Sequence, residues 1–168
     1  MTDNERQVIE MKKITALILA LITVFSLALT SASAEEPERK YSIKVNGVEL
    51  DTSSLPLEPY YESEHLMVPL RMIAEALGYK VTWNSETHEI TVDDEYIQSA
   101  SLFGGTAEVN FTGHLKVIDM TLTWENEEKT VIHDGYTYVP LEFFTLFFND
   151  VSVNYSLIEV SPSVATLD

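Results

Sequence analysis

Val68-Pro69-Leu70-Arg71-Met72-Ile73-Ala74-Glu75-Ala76-Leu77-Gly78-Tyr79-Lys80-Val81-Thr82-Trp83-Asn84 is the stretch on which the reading of this chain turns. Leu70, Ile73, Ala74 and Leu77 recur at steps of three, one and three, which puts four apolar side chains on one helical face and turns Arg71 and Glu75 away from it. Pro69 suits the first turn of a helix, and Gly78 supplies a left-handed end. A helix is therefore expected over 70–77, preceded by a short strand at Leu66-Met67-Val68. Arg71 is expected to pair with a carboxylate near the start of that helix. Beyond Gly78, Tyr79, Val81 and Trp83 alternate with polar residues, Asn84-Ser85-Glu86-Thr87 turns the chain, and Ile90 and Val92 alternate back as a hairpin.

The same grammar returns 71 residues later. Tyr138-Val139-Pro140-Leu141-Glu142 repeats Met67-Val68-Pro69-Leu70-Arg71, so a strand-Val-Pro-Leu-helix unit is duplicated. A second helix is expected over Leu141 to Phe148, with Phe143, Phe144, Phe147 and Phe148 at helical spacing. Asn149 stands where the first copy has Gly78 and is expected to take the left-handed helix end. Around these units, Tyr41 to Leu50 reads as a hairpin about Asn46-Gly47. Asp51 to Pro59 is a loop, and Asp93 to Gly105 reads as a connection. Further strands are expected at Ala107 to Phe111, Leu115 to Trp124, Thr130 to Ile132 and Tyr136 to Val139, with a weaker pair at Val151 to Tyr155 and Leu157 to Val160. The expected fold class is α+β, with antiparallel strands and hairpins packed on two short helices.

The first 34 residues read as an address. Lys12-Lys13, the apolar run Ile14 to Leu29 and Ala32-Ser33-Ala34 form the three parts of a secretory signal peptide, cleaved after Ala34. Sixteen apolar residues fall short of the roughly 20 that span a bilayer. Met11 gives a cleaner positive start than Met1, because Asp3, Glu5 and Glu10 offset Arg6, Lys12 and Lys13. The expected organisation is a signal peptide at 1–34, a leader at 35–40, one domain at 41–160 and a tail at 161–168. The mature chain is expected to be secreted, extracellular or wall-associated, with no membrane segment left after cleavage.

Its 24 acidic and seven basic residues keep the net charge of the whole chain, -17, which repels nucleic acid and anionic membrane surfaces. The absence of cysteine removes disulfides, thiol nucleophiles and thiolate metal sites.

The Val68–Asn84 segment, with Asp134-Gly135-Tyr136-Thr137-Tyr138-Val139-Pro140-Leu141-Glu142-Phe143 more loosely, resembles the copper amine oxidase N-terminal domain family, also called the stalk domain, of exported bacterial proteins. Val45-Asn46-Gly47 and Glu89-Ile90-Thr91-Val92 support the match, which covers about residues 41–160. The second copy departs from the pattern at Glu142, where Arg is usual, and at Asn149. The resemblance implies an α+β fold acting as a non-catalytic envelope module, a spacer or protein-interaction domain.

No catalytic residue, cofactor or metal is called. Copper-dependent amine oxidation needs three converging histidines, and His65, His88, His114 and His133 lack the close spacing of a metal pair. Asp93-Asp94-Glu95 and Glu125-Asn126-Glu127-Glu128 lack the pattern of a calcium loop, and there is no nucleophile elbow or phosphate loop. Two candidate contact regions stand out. Tyr60 and Tyr61, in a Pro-bounded loop, are the better exposed candidates for ligand contact within a wider set of Trp83, Trp124, Tyr136, Tyr138 and Tyr155. Both tryptophans are expected to face the core, because each ends an alternating run. Phe143 and Phe147 are a possible interface, since the Phe-rich helix is wider than one face requires. The partner is then a cell-wall polymer or another envelope protein, with oligomerisation through the Phe-rich helix. A carbohydrate- or peptidoglycan-binding module is the alternative, and a small hydrolase a remoter one.

Overall fold

The computed structural model describes residues 40–114 and 121–163. They belong to one unit, residues 39–168; the signal peptide and the choice between Met1 and Met11 lie outside the described residues. No helix among them is long and apolar enough to cross a membrane.

The duplication is visible as strand pairing. Strand β4 (His65–Pro69) and strand β11 (Tyr136–Pro140) lie antiparallel, and Val68 pairs with Val139, its own equivalent in the repeat. The two units thus meet head to head. Helix α1 (Leu70–Ala76) leaves β4 and lies against β11, while the 3-10 helix η1 (Leu141–Phe147) leaves β11 and lies against β4. Flanking strands β3 (Tyr60–Glu62) and β10 (Val131–His133) complete this sheet in the order β10-β11-β4-β3.

Each helix then feeds a hairpin, and the two hairpins are extended differently. After α1, β5 (Lys80–Trp83), β6 (Glu89–Asp93), β7 (Gln98–Phe103), β8 (Glu108–Gly113) and β9 (Thr121–Glu125) form an antiparallel meander in sequence order. After η1, the hairpin of β12 (Asn149–Asn154) and β13 (Leu157–Pro162) is joined by β1 (Ser42–Val45), which runs parallel to β13 with Ile43 opposite Ile158. Strand β2 (Val48–Glu49) finishes that third sheet through the expected Asn46-Gly47 turn.

The architecture corrects the α+β expectation, because thirteen strands in three sheets stand against two seven-residue helical segments among the described residues. Strands are not wrapped on helices; they supply most of the core themselves. One cause is the stretch expected as a connection. Asp94 Oδ1 accepts the backbone N–H groups of Tyr96, Ile97 and Gln98 at 2.7–2.9 Å, a tight side-chain-stabilised turn that sends Gln98–Phe103 back as a central strand. Its buried residues are Ala100 and Leu102 and its outward ones are Ser99, Ser101 and Phe103, an alternation too small in contrast to announce a strand. The second cause is η1, which winds as a 3-10 helix and stays short.

The expected helix end also moves by one residue. Phe148, not Asn149, is left-handed, at φ 57°, and its side chain is 60% exposed. Asn149 is instead buried at the head of β12. In the first copy Gly78 takes φ 90° after α1, where a glycine meets no steric penalty.

Arg71 is tied down as expected. Its Nη1 donates to the Glu75 carboxylate at 2.9 Å and to the Val81 carbonyl at 2.8 Å, linking the helix to β5. The pair with Glu75 is half exposed and worth under about 1 kcal/mol; the bond to the half-buried carbonyl adds about as much. Arg71→Ala should therefore lower the melting temperature by a few degrees in a thermal melt, and an unchanged melt would remove the structural role.

Candidate functional site

Strand alternation separates the two tyrosines that were expected to act together. Tyr60 turns inward, its ring 6.0 Å from that of Tyr138, while Tyr61 on the opposite face is 54% exposed. Burial, with the carboxylates of Glu62 and Glu128 nearby, holds the Tyr60 hydroxyl above the usual tyrosine range. Burial raises Tyr138 likewise, although its hydroxyl donates to the Leu57 carbonyl at 2.6 Å. Tyr60 and Tyr61 therefore do not share a platform.

Phe143 and Phe147, the expected interface, lie in the core at 0% and 3% exposure. Phe147 packs on Phe111 of β8 and on Tyr79, with ring centroids 5.7 and 5.4 Å apart. The face that a partner would meet on this segment belongs to Phe148.

The tryptophans depart from expectation in an informative way. Cross-strand register places Trp83, Ile90, Leu102, Val109 and Trp124 in one row on the core-facing side of the meander. The sequence places both tryptophans inward, but not Leu102, whose strand reads as a connection. The two ends of the row lie on the edge strands β5 and β9, however, so Trp83 and Trp124 remain 46% and 48% exposed while the three residues between them are buried.

Trp83 opens onto a groove of about 550 Å³ between α1, β5 and the turn into β11, with Tyr136 also lining it. Arg71, Glu75 and Thr137 bring polar groups to the same space, and Leu70 and Met72 give it an apolar side. Tyr136 is 38% exposed, and its hydroxyl is fixed by donating to the Ser54 carbonyl at 3.2 Å. Two half-open aromatic rings beside charged and hydroxyl groups suit a ligand with both apolar faces and hydroxyls. The sequence signal for the pair was position: each aromatic lies next to a turn, Trp83 before Asn84 and Tyr136 after Asp134-Gly135.

Each histidine has its own neighbours. His65 Nε2 lies 3.2 Å from Glu127, His133 Nε2 lies 3.5 Å from Asp134, and His88 stacks on Trp83. Asp93, Asp94 and His114 do converge, with ligand atoms within 4.8 Å of one another. Internal bonds account for that convergence. Asp93 Oδ1 lies 2.9 Å from His114 Nε2, and Asp94 Oδ1 is committed to the three N–H groups of its turn.

Residues 44–156 match the family model described as the copper amine oxidase N-terminal domain. A Brevibacillus choshinensis protein named "Protease inhibitor" is 30% identical over 125 residues, which cover 74% of this chain and 34% of that protein. The chain thus spans about a third of that curated relative's length. No solved structure matches the chain significantly.

Proposed function

This chain belongs to the copper amine oxidase N-terminal domain family, and from that premise we propose that it is an exported, non-catalytic envelope module that holds wall glycan in the groove between Trp83 and Tyr136. The observation that carries the reading is the placing of two half-exposed aromatic rings on one groove that also presents Arg71, Glu75 and Thr137. Sugar rings offer alternating C–H faces and hydroxyls, and an aromatic face with flanking donors and acceptors matches both.

Hydrolysis fits this groove poorly. Glycoside cleavage uses two carboxylates flanking the bond, whereas Glu75 is the one carboxylate among the described residues lining the groove, and it is engaged by Arg71 at 2.9 Å. A module that binds without reacting is the better account. Docking to another protein is the second reading, supported by the name of the Brevibacillus relative.

Co-sedimentation of the purified protein with isolated cell walls, with soluble envelope proteins as competitor, separates the two. Retention on bare walls should fall about tenfold or more in Trp83→Ala, the loss expected when one aromatic stacking contact is removed. Unchanged retention in Trp83→Ala would exclude this groove. Release of the wild type by a competing protein would favour the docking reading instead.

A further inference from the structure

Strand β9 is open along its outer side. All five of its residues are exposed, and it forms the edge of the meander opposite β5. The Asn126 N–H donates to the Ala107 carbonyl at 2.8 Å. Bonded pairs alternate with non-bonded ones along an antiparallel ladder, so Trp124–Val109 and Leu122–Phe111 are the bonded pairs within β9. The backbone N–H and C=O groups of Thr121, Thr123 and Glu125 therefore point away from β8. Among the described residues no strand pairs with them.

The sequence does little to guard this edge. Sheets blunt an open edge with charge, proline, a bulge or shortness. Edge strands β2, β3 and β10 have two or three residues each, β5 carries Lys80 and β12 carries Asp150. In β9 the single charge, Glu125, sits at the end of the strand, and the other four residues are Thr121, Leu122, Thr123 and Trp124. Leu122 and Trp124 share the core-facing side at 57% and 48% exposure, uncovered while Phe111 and Val109 beside them are buried.

We propose that β9 pairs antiparallel with the β9 of a second copy of this chain, about a two-fold axis through Thr123. The register follows from the outward groups. With Thr123 opposite Thr123 of the second copy, Thr121 faces Glu125 and Leu122 faces Trp124. The residues whose backbone points outward then meet as bonded pairs, each exchanging both its N–H and its C=O. Leu122 and Trp124 meet as a non-bonded pair, the kind in which side chains stand closest. Each Glu125 meets a threonine, whereas an axis through Glu125 would set carboxylate against carboxylate. Self-complementarity of this kind is what a two-fold contact requires. Both β5 edges, with their Trp83 grooves, stay free at the far ends of the joined sheet. The pairing stands independently of the glycan reading. One strand per copy makes a small, transient interface, and repulsion between two chains of net charge -17 weakens it further.

Sedimentation equilibrium of the purified protein tests this. The wild type should show a reversible monomer–dimer equilibrium whose dissociation constant falls about tenfold as salt rises from about 0.01 to about 1 M, where the screening length shrinks from ~30 to ~3 Å. Thr123→Pro decides the mode of contact. The Thr123 N–H makes no bond within the ladder, and an edge strand tolerates proline in that orientation. The variant should therefore keep the wild-type circular dichroism, Leu122 and Trp124, yet stay monomeric under the same conditions. Leu122→Asp, which puts a carboxylate at an exposed position beside the indole of the second copy, should stay monomeric too. A wild type that is monomeric up to about 1 mM at high salt would overturn the pairing and leave the edge to an extended segment of another protein. A dimer that persists in Thr123→Pro would overturn it as well, because apolar association alone does not use the backbone. Should Thr123→Pro fold poorly, Thr121→Pro makes the same test at the first residue of the strand, where proline is also accepted.

Discussion

Replacing Phe143 with alanine should cost roughly 3–5 kcal/mol of stability, a large share of the 5–15 kcal/mol that typically holds a domain of this size together. Phe143 is fully buried, and its ring sits 5.5 Å from both Phe144, edge-on at 85°, and Phe147. Phe147 in turn reaches Phe111 and Tyr79, so the cavity would open where the second unit packs on the meander of the first. Close packing leaves those rings no partner atoms with which to fill the space. Phe148 is the natural control, since it lies on the same segment at 60% exposure. Phe148→Gly removes little buried surface and relieves a bulky residue at φ 57°, so it should leave stability unchanged or slightly raised. Urea unfolding of the two variants checks this, and a loss below about 1 kcal/mol for Phe143→Ala would show that the Phe-rich segment is not the core.

What the sequence disclosed followed from how locally each feature was written. Leu70, Ile73, Ala74 and Leu77 spell a helix within eight residues, and three of the four are fully buried. Val68 and Val139 disclosed the duplication, though not that equivalent valines would pair with each other. The parallel contact of β1 with β13 joins residues 42–45 to 157–160, and no local pattern encodes a partner so distant. Strand β7 was lost because serines alternate with only Ala100 and Leu102, and because the turn before it is made by one Asp94 oxygen. The site failed for a related reason. Alternation correctly placed Trp83 on the inward row, but exposure depends on whether another strand covers the end of that row, and β5 is an edge. Tyr60 and Tyr61 read as exposed in a Pro-bounded loop, but they begin strand β3, which puts neighbours on opposite faces.

Asn149 carries the second large effect. It is 3% exposed, and its Nδ2 donates to the Phe144 carbonyl at 3.0 Å, to the Phe147 carbonyl at 3.1 Å and to the Tyr79 hydroxyl at 2.9 Å. One amide thereby closes the end of η1 and ties it to Tyr79, three residues past α1 in the first unit. Asn149→Leu keeps the volume and removes the donor, leaving the Phe147 carbonyl without its amide partner at about 1–3 kcal/mol, while the Phe144 carbonyl keeps the backbone N–H of Phe148. Tyr79 can recover part of this, because its hydroxyl already lies 3.4 Å from the Phe147 carbonyl. The net loss should be about 1–3 kcal/mol. Asn149→Gly separates this account from the one suggested by the repeat. If Asn149 merely replaced Gly78 as a left-handed helix end, glycine would be neutral there. Phe148 already takes that conformation, and Asn149 instead begins β12 opposite Pro162, so glycine loses the same amide and gains no relief. Both variants should therefore melt well below the wild type. A wild-type melting temperature for Asn149→Gly would mean that the amide is not what joins the two units.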